Sequence, residues 1–139
     1  MANSNDIRNI VLLGHGGCGK TSLTEAILHT SGATNRLGSV DDKTSICDYY
    51  DEEKEHQHST KTAVVYTEYQ GKTVNILDTP GYPDFVGPAI KAIPAAETAV
   101  LVISASAGIE INTRKLFEVA DKANKPKIIV VNKIDSENV

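Results

Sequence analysis

RNIVLLGHGGCGKTSLTEAILHTSG, residues 8–32, is the stretch that decides how this chain folds. RNIVLLG (8–14) is an apolar run that ends on a glycine, which is typical of a strand buried on both faces. KTSLTEAILHTSG (20–32) then has a helical pattern, and Gly32 is the candidate stop. The candidate buried positions of this helix are Leu23, Ala26, Ile27 and His29. A buried strand joined to a helix by a glycine-rich turn predicts an α/β protein.

The rest of the chain continues the alternation of strands and helices. Two hairpin strands, AVVYTEY (63–69) and KTVNILD (72–78), are predicted around Gln70-Gly71, and a helix is predicted over 84–96, with Asp84 as N-cap and Pro94 ending or kinking it. The buried strand TAVLVIS (98–104) comes next, followed by the amphipathic helix INTRKLFEVADKAN (111–124) with Leu116, Phe117 and Ala120 on one face. The last predicted element is a strand with its exit loop, PKIIVVNKID (126–135). This order predicts a mostly parallel sheet with one antiparallel hairpin strand and flanking helices. Ligands bind such sheets at the carboxyl ends of the strands.

Composition sets the broad class. The chain has 139 residues, of which 40% are hydrophobic and 23% charged, with a formal net charge of −4. This is enough for one domain with its own core, and the acidic balance gives no reason to expect direct nucleic-acid binding. Cys18 and Cys47 are too few for a disulfide framework. The polar N-terminus resembles no signal peptide, and no apolar run approaches the roughly 20 residues of a membrane span, so we expect a cytoplasmic protein.

Residues 33–62 show no periodicity and are strongly polar. Loops of this length in compact domains are usually functional or disordered. His56 and His58 lie here among acidic side chains, but two histidines without cysteine or a third fixed ligand make no zinc pattern. We therefore interpret this part of the loop as a solvated charged segment.

GHGGCGKT (14–21) matches the phosphate-binding pattern G-x-x-x-x-G-K-[ST], and it stands between a predicted strand and a predicted helix. Backbone N–H groups of such a loop surround phosphate oxygens, and the helix N-terminus adds a partial positive charge. Lys20 is expected to reach the β- and γ-phosphates, and the Thr21 hydroxyl to ligate Mg²⁺. The predicted nucleotide-binding residues of this segment are His15, Gly16, Gly17, Cys18, Gly19, Lys20, Thr21 and Ser22. We interpret Cys18 as an inert small residue in preference to a redox-active thiol.

DTPG (78–81) follows the second hairpin strand. Asp78 is placed to act on Mg²⁺ through water, like the acidic residue that ends a strand in other phosphate-binding domains. The Gly81 amide can hydrogen-bond a γ-phosphate, and a glycine peptide can reorient once that phosphate has gone.

NKID (132–135) selects the base. Asp135, which follows a strand expected to be buried, can accept hydrogen bonds from N1–H and the exocyclic amino group of guanine, whereas adenine offers no such pair of donors. Asn132 can bridge the base and the phosphate loop, and the stem of Lys133 can cover the base plane. The pattern disfavours an ATPase.

With these three motifs in this order, the chain resembles the GTP-binding domain of translational GTPases, and most of all elongation factor G and its paralogues. The resemblance runs from about Arg8 to Asp135 and includes VNILDTPGYPDF and ISASAGIEINTRKLFEVADKANKPKIIVVNKID. It implies a P-loop fold, GTP and GDP with Mg²⁺ as ligands, and GTP hydrolysis on the ribosome, where large-subunit rRNA and stalk proteins activate these factors. Lys20, Gly81 and the residue at position 82 would then be the catalytic positions.

Position 82 departs from the family pattern, because Tyr82 stands where elongation factor G has a histidine that orients the attacking water. A tyrosine hydroxyl can hydrogen-bond a water, but with an ordinary pKa near 10 it is a poor base at neutral pH. Positioning and electrostatics carry most of phosphoryl transfer, so we expect slower or differently activated hydrolysis. The chain is similar to a paralogous branch of elongation factor G that has such a tyrosine. The alternative is a ribosome-binding guanine-nucleotide switch with little hydrolysis.

Two further departures concern the first switch and the end of the chain. The family's R-G-I-T is missing, and counting back from Asp78 without gaps puts Ser59 at its Mg²⁺-ligating threonine, whereas a one-residue gap selects Thr60. Residues 1–139 are similar to the N-terminal portion of the family's GTP-binding domain; its later elements and the translocation domains are absent, as expected of a fragment. A ribosome-protection factor of the tetracycline-resistance type shares the same motifs.

Overall fold

A five-stranded sheet organises the protein, whose computed structural model describes residues 3–56, 58–136 and 139. In chain order its strands are β1 (Ile7–Leu13), β2 (Ala63–Tyr69), β3 (Lys72–Asp78), β4 (Thr98–Ser104) and β5 (Lys127–Asn132). They lie in the order β2-β3-β1-β4-β5, with β2 antiparallel to β3 and all other neighbours parallel. The predicted mostly parallel sheet with one antiparallel hairpin strand is confirmed.

Helices cover both faces of this sheet. They are α1 (Lys20–Thr30), α2 (Asp51–His56), α3 (Val86–Ala92) and α4 (Ile111–Lys122). Successive strand residues point to opposite faces, so Val11 and Leu13 pack with α3 and α4, while Leu12 packs with the α1 side. Among the described residues, no helix is long and apolar enough to cross a membrane.

The region of the predicted helix 84–96 is more irregular than expected. The α-helical part is limited to α3, and one-turn 3₁₀ helices precede and follow it. Asp84 is not the N-cap, because it lies inside the first of these turns and Phe85 precedes α3 without a capping side-chain hydrogen bond. Pro94 falls in the turn after α3, in keeping with a residue that has no backbone N–H for a helical hydrogen bond.

The expected buried faces need three corrections. In α1 the buried residues are Lys20, Thr24, Glu25 and Leu28, and His29 is exposed. In α4, Leu116 and Ala120 are fully buried, whereas Phe117 is 39% exposed. The strand expected to be buried ahead of Asp135 is instead an edge strand, since β5 pairs only with β4 in the described part of the chain and leaves Ile128, Ile129 and Val131 more than half exposed.

Candidate nucleotide site

A cavity of about 510 Å³ opens at the carboxyl ends of the parallel strands. Its walls come from the loop after β1, the first turn of α1, residues 37–41, His58 and Ser59, the turn after β3, and Lys133 beyond β5. In the sheet, β3 lies on one side of β1 and β4 on the other, so the direction in which the chain adds strands reverses at β1. The carboxyl ends of the strands form a crevice at such a reversal.

Lys20 lies inside the glycine-rich loop that joins β1 to α1. Its ammonium Nζ donates hydrogen bonds to the carbonyl oxygens of Gly14, at 3.2 Å, and His15, at 2.8 Å. The residue is only 6% exposed, and a buried ammonium is stabilised by such acceptors. The loop therefore curves around a positive charge at the N-terminus of a helix.

Thr21 and Ser59 line the cavity, and the buried Asp78 side chain contacts Thr21. The Thr21 hydroxyl donates to Asp78 Oδ2 at 2.7 Å, and its oxygen lies 3.5 Å from Ser59 Oγ. Ser59 in turn donates to Asp48 Oδ1 at 2.8 Å. The three residues expected to serve Mg²⁺ thus converge from α1, from the end of β3 and from the long loop between α1 and β2.

The Asp78 carboxylate is completely buried, and its Oδ1 makes no hydrogen bond within the described residues. Burial raises the pKa of Asp78 to about 6, although the Thr21 hydrogen bond and the nearby Lys20 charge act in the opposite direction. Burial likewise raises the pKa of Asp48. A buried oxygen without a partner, beside hydroxyls and a second carboxylate, is the oxygen-rich donor set that suits Mg²⁺.

Gly81 packs directly on the phosphate loop. A Cβ at this position would collide with Lys20 Nζ and would lie 2.6 Å from backbone atoms of His15 and Gly16, so only glycine fits. Asn112, at the start of α4, donates from Nδ2 to the Gly81 carbonyl at 2.7 Å. Sequence reasoning missed this role of Asn112, because helical periodicity alone does not tell which loop a buried amide reaches.

Tyr82 lies over the same loop. A Cβ on Gly16 would come within 2.9 Å of the Tyr82 ring, so the ring rests on the bare backbone there. The His58 ring contacts it, with ring centroids 4.8 Å apart. Of the segment interpreted as solvated, Asp51, Glu52, Glu55 and His56 are exposed, whereas His58 is half-buried and lines the cavity.

The long loop is organised by a carboxylate from α1. Glu25 is fully buried, and its Oε1 accepts hydrogen bonds from Ser45 Oγ at 2.8 Å, the Ile46 amide at 2.6 Å and the Cys47 amide at 3.3 Å. These bonds fix the middle of the loop against the helix. The sequence pattern put Glu25 outside the predicted buried face, so it was missed.

A second carboxylate, Glu53 in α2, fixes the end of the loop. Glu53 Oε1 accepts from the amides of Thr60, at 2.8 Å, and Lys61, at 3.1 Å, and Oε2 accepts from the Tyr50 amide at 3.2 Å. The Thr60 hydroxyl also donates to Glu53, at 3.1 Å. Thr60 is thereby engaged by Glu53, and Ser59 is the one that lies beside Thr21.

The predicted base-reading residues of NKID do not all lie at the cavity. Asn132 Nδ2 donates to the Cys18 carbonyl at 3.0 Å, which ties the end of β5 to the phosphate loop. Lys133, with a positive φ of 58°, lines the cavity. Asp135 is exposed in the following turn and is not among the residues that line the cavity.

Two other positions of the phosphate loop, His15 and Cys18, are not among the residues that line the cavity. His15 Nε2 lies 3.4 Å from Glu110 Oε1, which connects the loop to the segment before α4. Cys18 is 1% exposed, and burial raises the pKa of its thiol despite the nearby Lys20 charge. A buried thiol with a raised pKa is unreactive, as expected for an inert small residue.

Comparison with known proteins gives consistent matches. The model of the elongation factor Tu GTP-binding domain matches residues 5–138. The chain is 40% identical, over 93% of its length, to an elongation factor G-like protein of Mycobacterium tuberculosis, and 40% identical, over 96% of its length, to tetracycline resistance protein TetO of Campylobacter jejuni. A crystal structure of a protein from Thermus thermophilus superposes with a TM-score of 0.90 at 42% identity; the match covers 93% of this chain and 20% of that one.

The chain spans about a fifth of the length of the curated relatives it matches, 18% of the Mycobacterium protein and 21% of the Campylobacter protein. The similarity therefore concerns the sheet and the cavity at its edge.

The arrangement around Glu53 gives a first testable prediction. Burial alone would raise the pKa of Glu53, but the hydrogen bonds from Thr60, Lys61 and Tyr50 lower it below its ordinary value of 4.5. A lowered pKa stabilises the folded state above pH 4.5, and this contribution is lost as the pH falls through the lower folded-state value. Replacing Glu53 by Gln should cost about 1–3 kcal/mol of unfolding free energy at pH 7 and almost nothing at acid pH.

Urea unfolding of both proteins over this pH range provides the measurement. Glu52→Gln is the matched control, because Glu52 is an exposed neighbour in the same helix. Equal losses for the two variants, or a Glu53→Gln loss that persists in acid, would contradict the assignment.

Proposed function

The chain belongs to the family of elongation factor Tu GTP-binding domains, and from this premise we propose that it binds GTP with Mg²⁺ and hydrolyses it as part of an elongation factor G-like factor working on the ribosome. The observation that carries the proposal is the convergence of Lys20, Thr21 and Gly81 on one cavity, with the buried Asp78 carboxylate hydrogen-bonded to Thr21. Each of the four comes from a motif with an established chemical use in phosphoryl transfer.

Lys20 and the loop backbone would hold the phosphates. The Lys20 ammonium, now on the carbonyls of Gly14 and His15, can exchange these acceptors for β- and γ-phosphate oxygens. The N-termini of helices favour anions, which supports the placement of phosphates before α1. The Gly81 amide would contact the γ-phosphate, since Gly81 packs against Lys20.

Thr21, Ser59 and Asp78 would hold Mg²⁺. The buried, unpartnered Oδ1 of Asp78 supports this role, because a cation beside it offsets the cost of burying a carboxylate. When bound, the ion neutralises negative charge that develops between the β- and γ-phosphates. The Thr21 hydroxyl and Ser59 are close enough together to serve one ion.

Asn132, Lys133 and Asp135 would read guanine. The bond from Asn132 to the Cys18 carbonyl supports a bridge between base and phosphate loop, and the position of Lys133 on the cavity wall supports packing on the base. Asp135 would have to turn from its exposed position toward the base edge. Guanine supplies the two donors that such a carboxylate needs.

Tyr82 affects the expected rate of GTP hydrolysis. A tyrosine hydroxyl can position a water without acting as a base, so hydrolysis persists at a lower rate or under different activation. The alternative is a guanine-nucleotide switch that binds the ribosome and hydrolyses little. The 40% identity to a tetracycline resistance protein keeps a ribosome-protection role as a second alternative.

The partners follow from this role. Large-subunit rRNA and stalk proteins would contact the protein at its full natural length, in the cytoplasm. The net charge of −4 supports no direct nucleic-acid binding by this segment alone, and no membrane is involved in the proposal.

Ribosome-stimulated turnover tests the proposal directly. The protein at its full natural length is mixed with GTP and Mg²⁺, with and without ribosomes, and released phosphate is measured. We expect slow hydrolysis alone and a clear stimulation by ribosomes. Ribosome binding without stimulation would favour the switch, and absence of both would contradict the proposal.

The metal site has its own test. Asp78→Asn keeps the shape of the side chain and an acceptor for Thr21 but removes the negative charge. We expect the gain in GTP affinity on adding Mg²⁺ to shrink about tenfold or more. A fluorescent guanine-nucleotide titration with Mg²⁺ and with chelator measures it. Asp84→Asn, in the exposed turn before α3, is the control, and an undiminished Mg²⁺ effect in Asp78→Asn would sink the assignment.

A further inference from the structure

We propose that His58 is a second water-positioning residue of this site and acts together with Tyr82 in GTP hydrolysis. The inference deepens the proposed function and rests on it. It concerns a side chain in the long loop before β2, far in sequence from the three motifs that identify the site.

The His58 and Tyr82 rings are in contact and both line the cavity. Their centroids lie 4.8 Å apart with an angle of 55° between the planes, and the His58 ring also lies 6.0 Å from the Phe85 ring. Both His58 and Tyr82 line the cavity that contains Lys20 and Gly81. A ring nitrogen and a phenol oxygen thus belong to side chains that line the same cavity as the residues proposed to hold the γ-phosphate.

The hydrogen bonding of His58 determines which ring nitrogen is available. Nδ1 lies 3.0 Å from the His56 carbonyl oxygen, and a carbonyl oxygen only accepts hydrogen bonds. Nδ1 therefore carries the hydrogen and donates it to His56. In a neutral ring this leaves Nε2 with a lone pair that can accept a hydrogen bond from water.

The backbone around His58 is fixed from both sides. The His58 amide donates to the Glu53 carbonyl at 3.2 Å, the Ser59 hydroxyl donates to Asp48, and the Thr60 amide donates to Glu53 Oε1. A side chain held in this way loses little additional freedom when it binds a water, which is the requirement for preorganised positioning.

Two hydrogen-bonding groups supply what a single tyrosine does not. The Tyr82 hydroxyl can donate to or accept from the water, and His58 Nε2 can accept one of its hydrogens, which aims an oxygen lone pair at phosphorus. The water oxygen then forms a bond to the γ-phosphorus, and the bond from that phosphorus to the bridging oxygen breaks with its electron pair remaining on GDP. The water proton passes to the released phosphate, so neither side chain changes its protonation state.

Three substitutions of His58 distinguish the role of its ring nitrogen from the role of the aromatic ring itself. In the protein at its full natural length, with Mg²⁺ and with protein and ribosomes in excess over GTP, single-turnover hydrolysis is measured for His58→Ala, His58→Phe and His58→Gln. We expect Ala and Phe to slow hydrolysis about 10- to 100-fold, since both remove a hydrogen bond to the reacting water. Gln should recover much of the rate, because its amide oxygen can accept in place of Nε2.

Nucleotide affinity distinguishes positioning from folding. GTP affinity of all three variants should stay within about twofold of the wild type, and His29→Ala, an exposed histidine at the end of α1, should change neither rate nor affinity. A wild-type rate in His58→Phe would show that the ring alone matters and would overturn the proposal. A loss of affinity that matches the loss of rate would overturn it as well, by making His58 a structural residue.

Hydrolysis by the wild-type protein tests the proposed function independently of the His58 variants. Ribosome-stimulated hydrolysis by the wild type with unaffected His58 variants would remove only the role of His58. Absence of hydrolysis by the wild type would remove both proposals.

Discussion

The hydrogen bond from the Thr21 hydroxyl to the buried Asp78 carboxylate joins the two halves of the site. The parallel pairing of β1 with β3 sets Leu12 level with Asp78, so the sheet itself brings the end of β3 beside the loop that leads into α1. A hydrogen bond to a charged group is worth about 1.5–3 kcal/mol. The other carboxylate oxygen, Asp78 Oδ1, is buried and has no hydrogen-bond partner among the described residues, so it is left to accept a cation.

The rest of the site depends on side chains that hold irregular segments. Glu25 and Glu53 fix two parts of the long loop, and Asn112 fixes the turn after β3. Because these segments have few backbone ladder bonds, their positions depend on a handful of polar contacts. Such segments open locally at lower cost than a strand does, which is the property needed of parts that respond to the presence of a γ-phosphate.

Sequence patterns predicted what local residues determine. The strands β1 and β4, the hairpin and the phosphate loop were predicted well, because apolar runs and the Gln70-Gly71 turn act over a few residues. The pairing of Glu25 with the loop and the contact of His58 with Tyr82 escaped prediction, since each joins residues 20 or more positions apart that no periodicity connects. The exposure of β5 and Phe117 was missed because the apolar pattern does not show which neighbours cover a strand or helix.

Displacement of a fluorescent guanine nucleotide tests the central claim most directly. The claim is that the chain forms a guanine-nucleotide site at the strand ends, with phosphates on the loop after β1 and the base read by NKID. The protein at its full natural length is loaded with the fluorescent nucleotide and Mg²⁺ and is then titrated with unlabelled GTP or ATP. The account predicts displacement by GTP and none by ATP at the same concentrations. Equal displacement by ATP would contradict it.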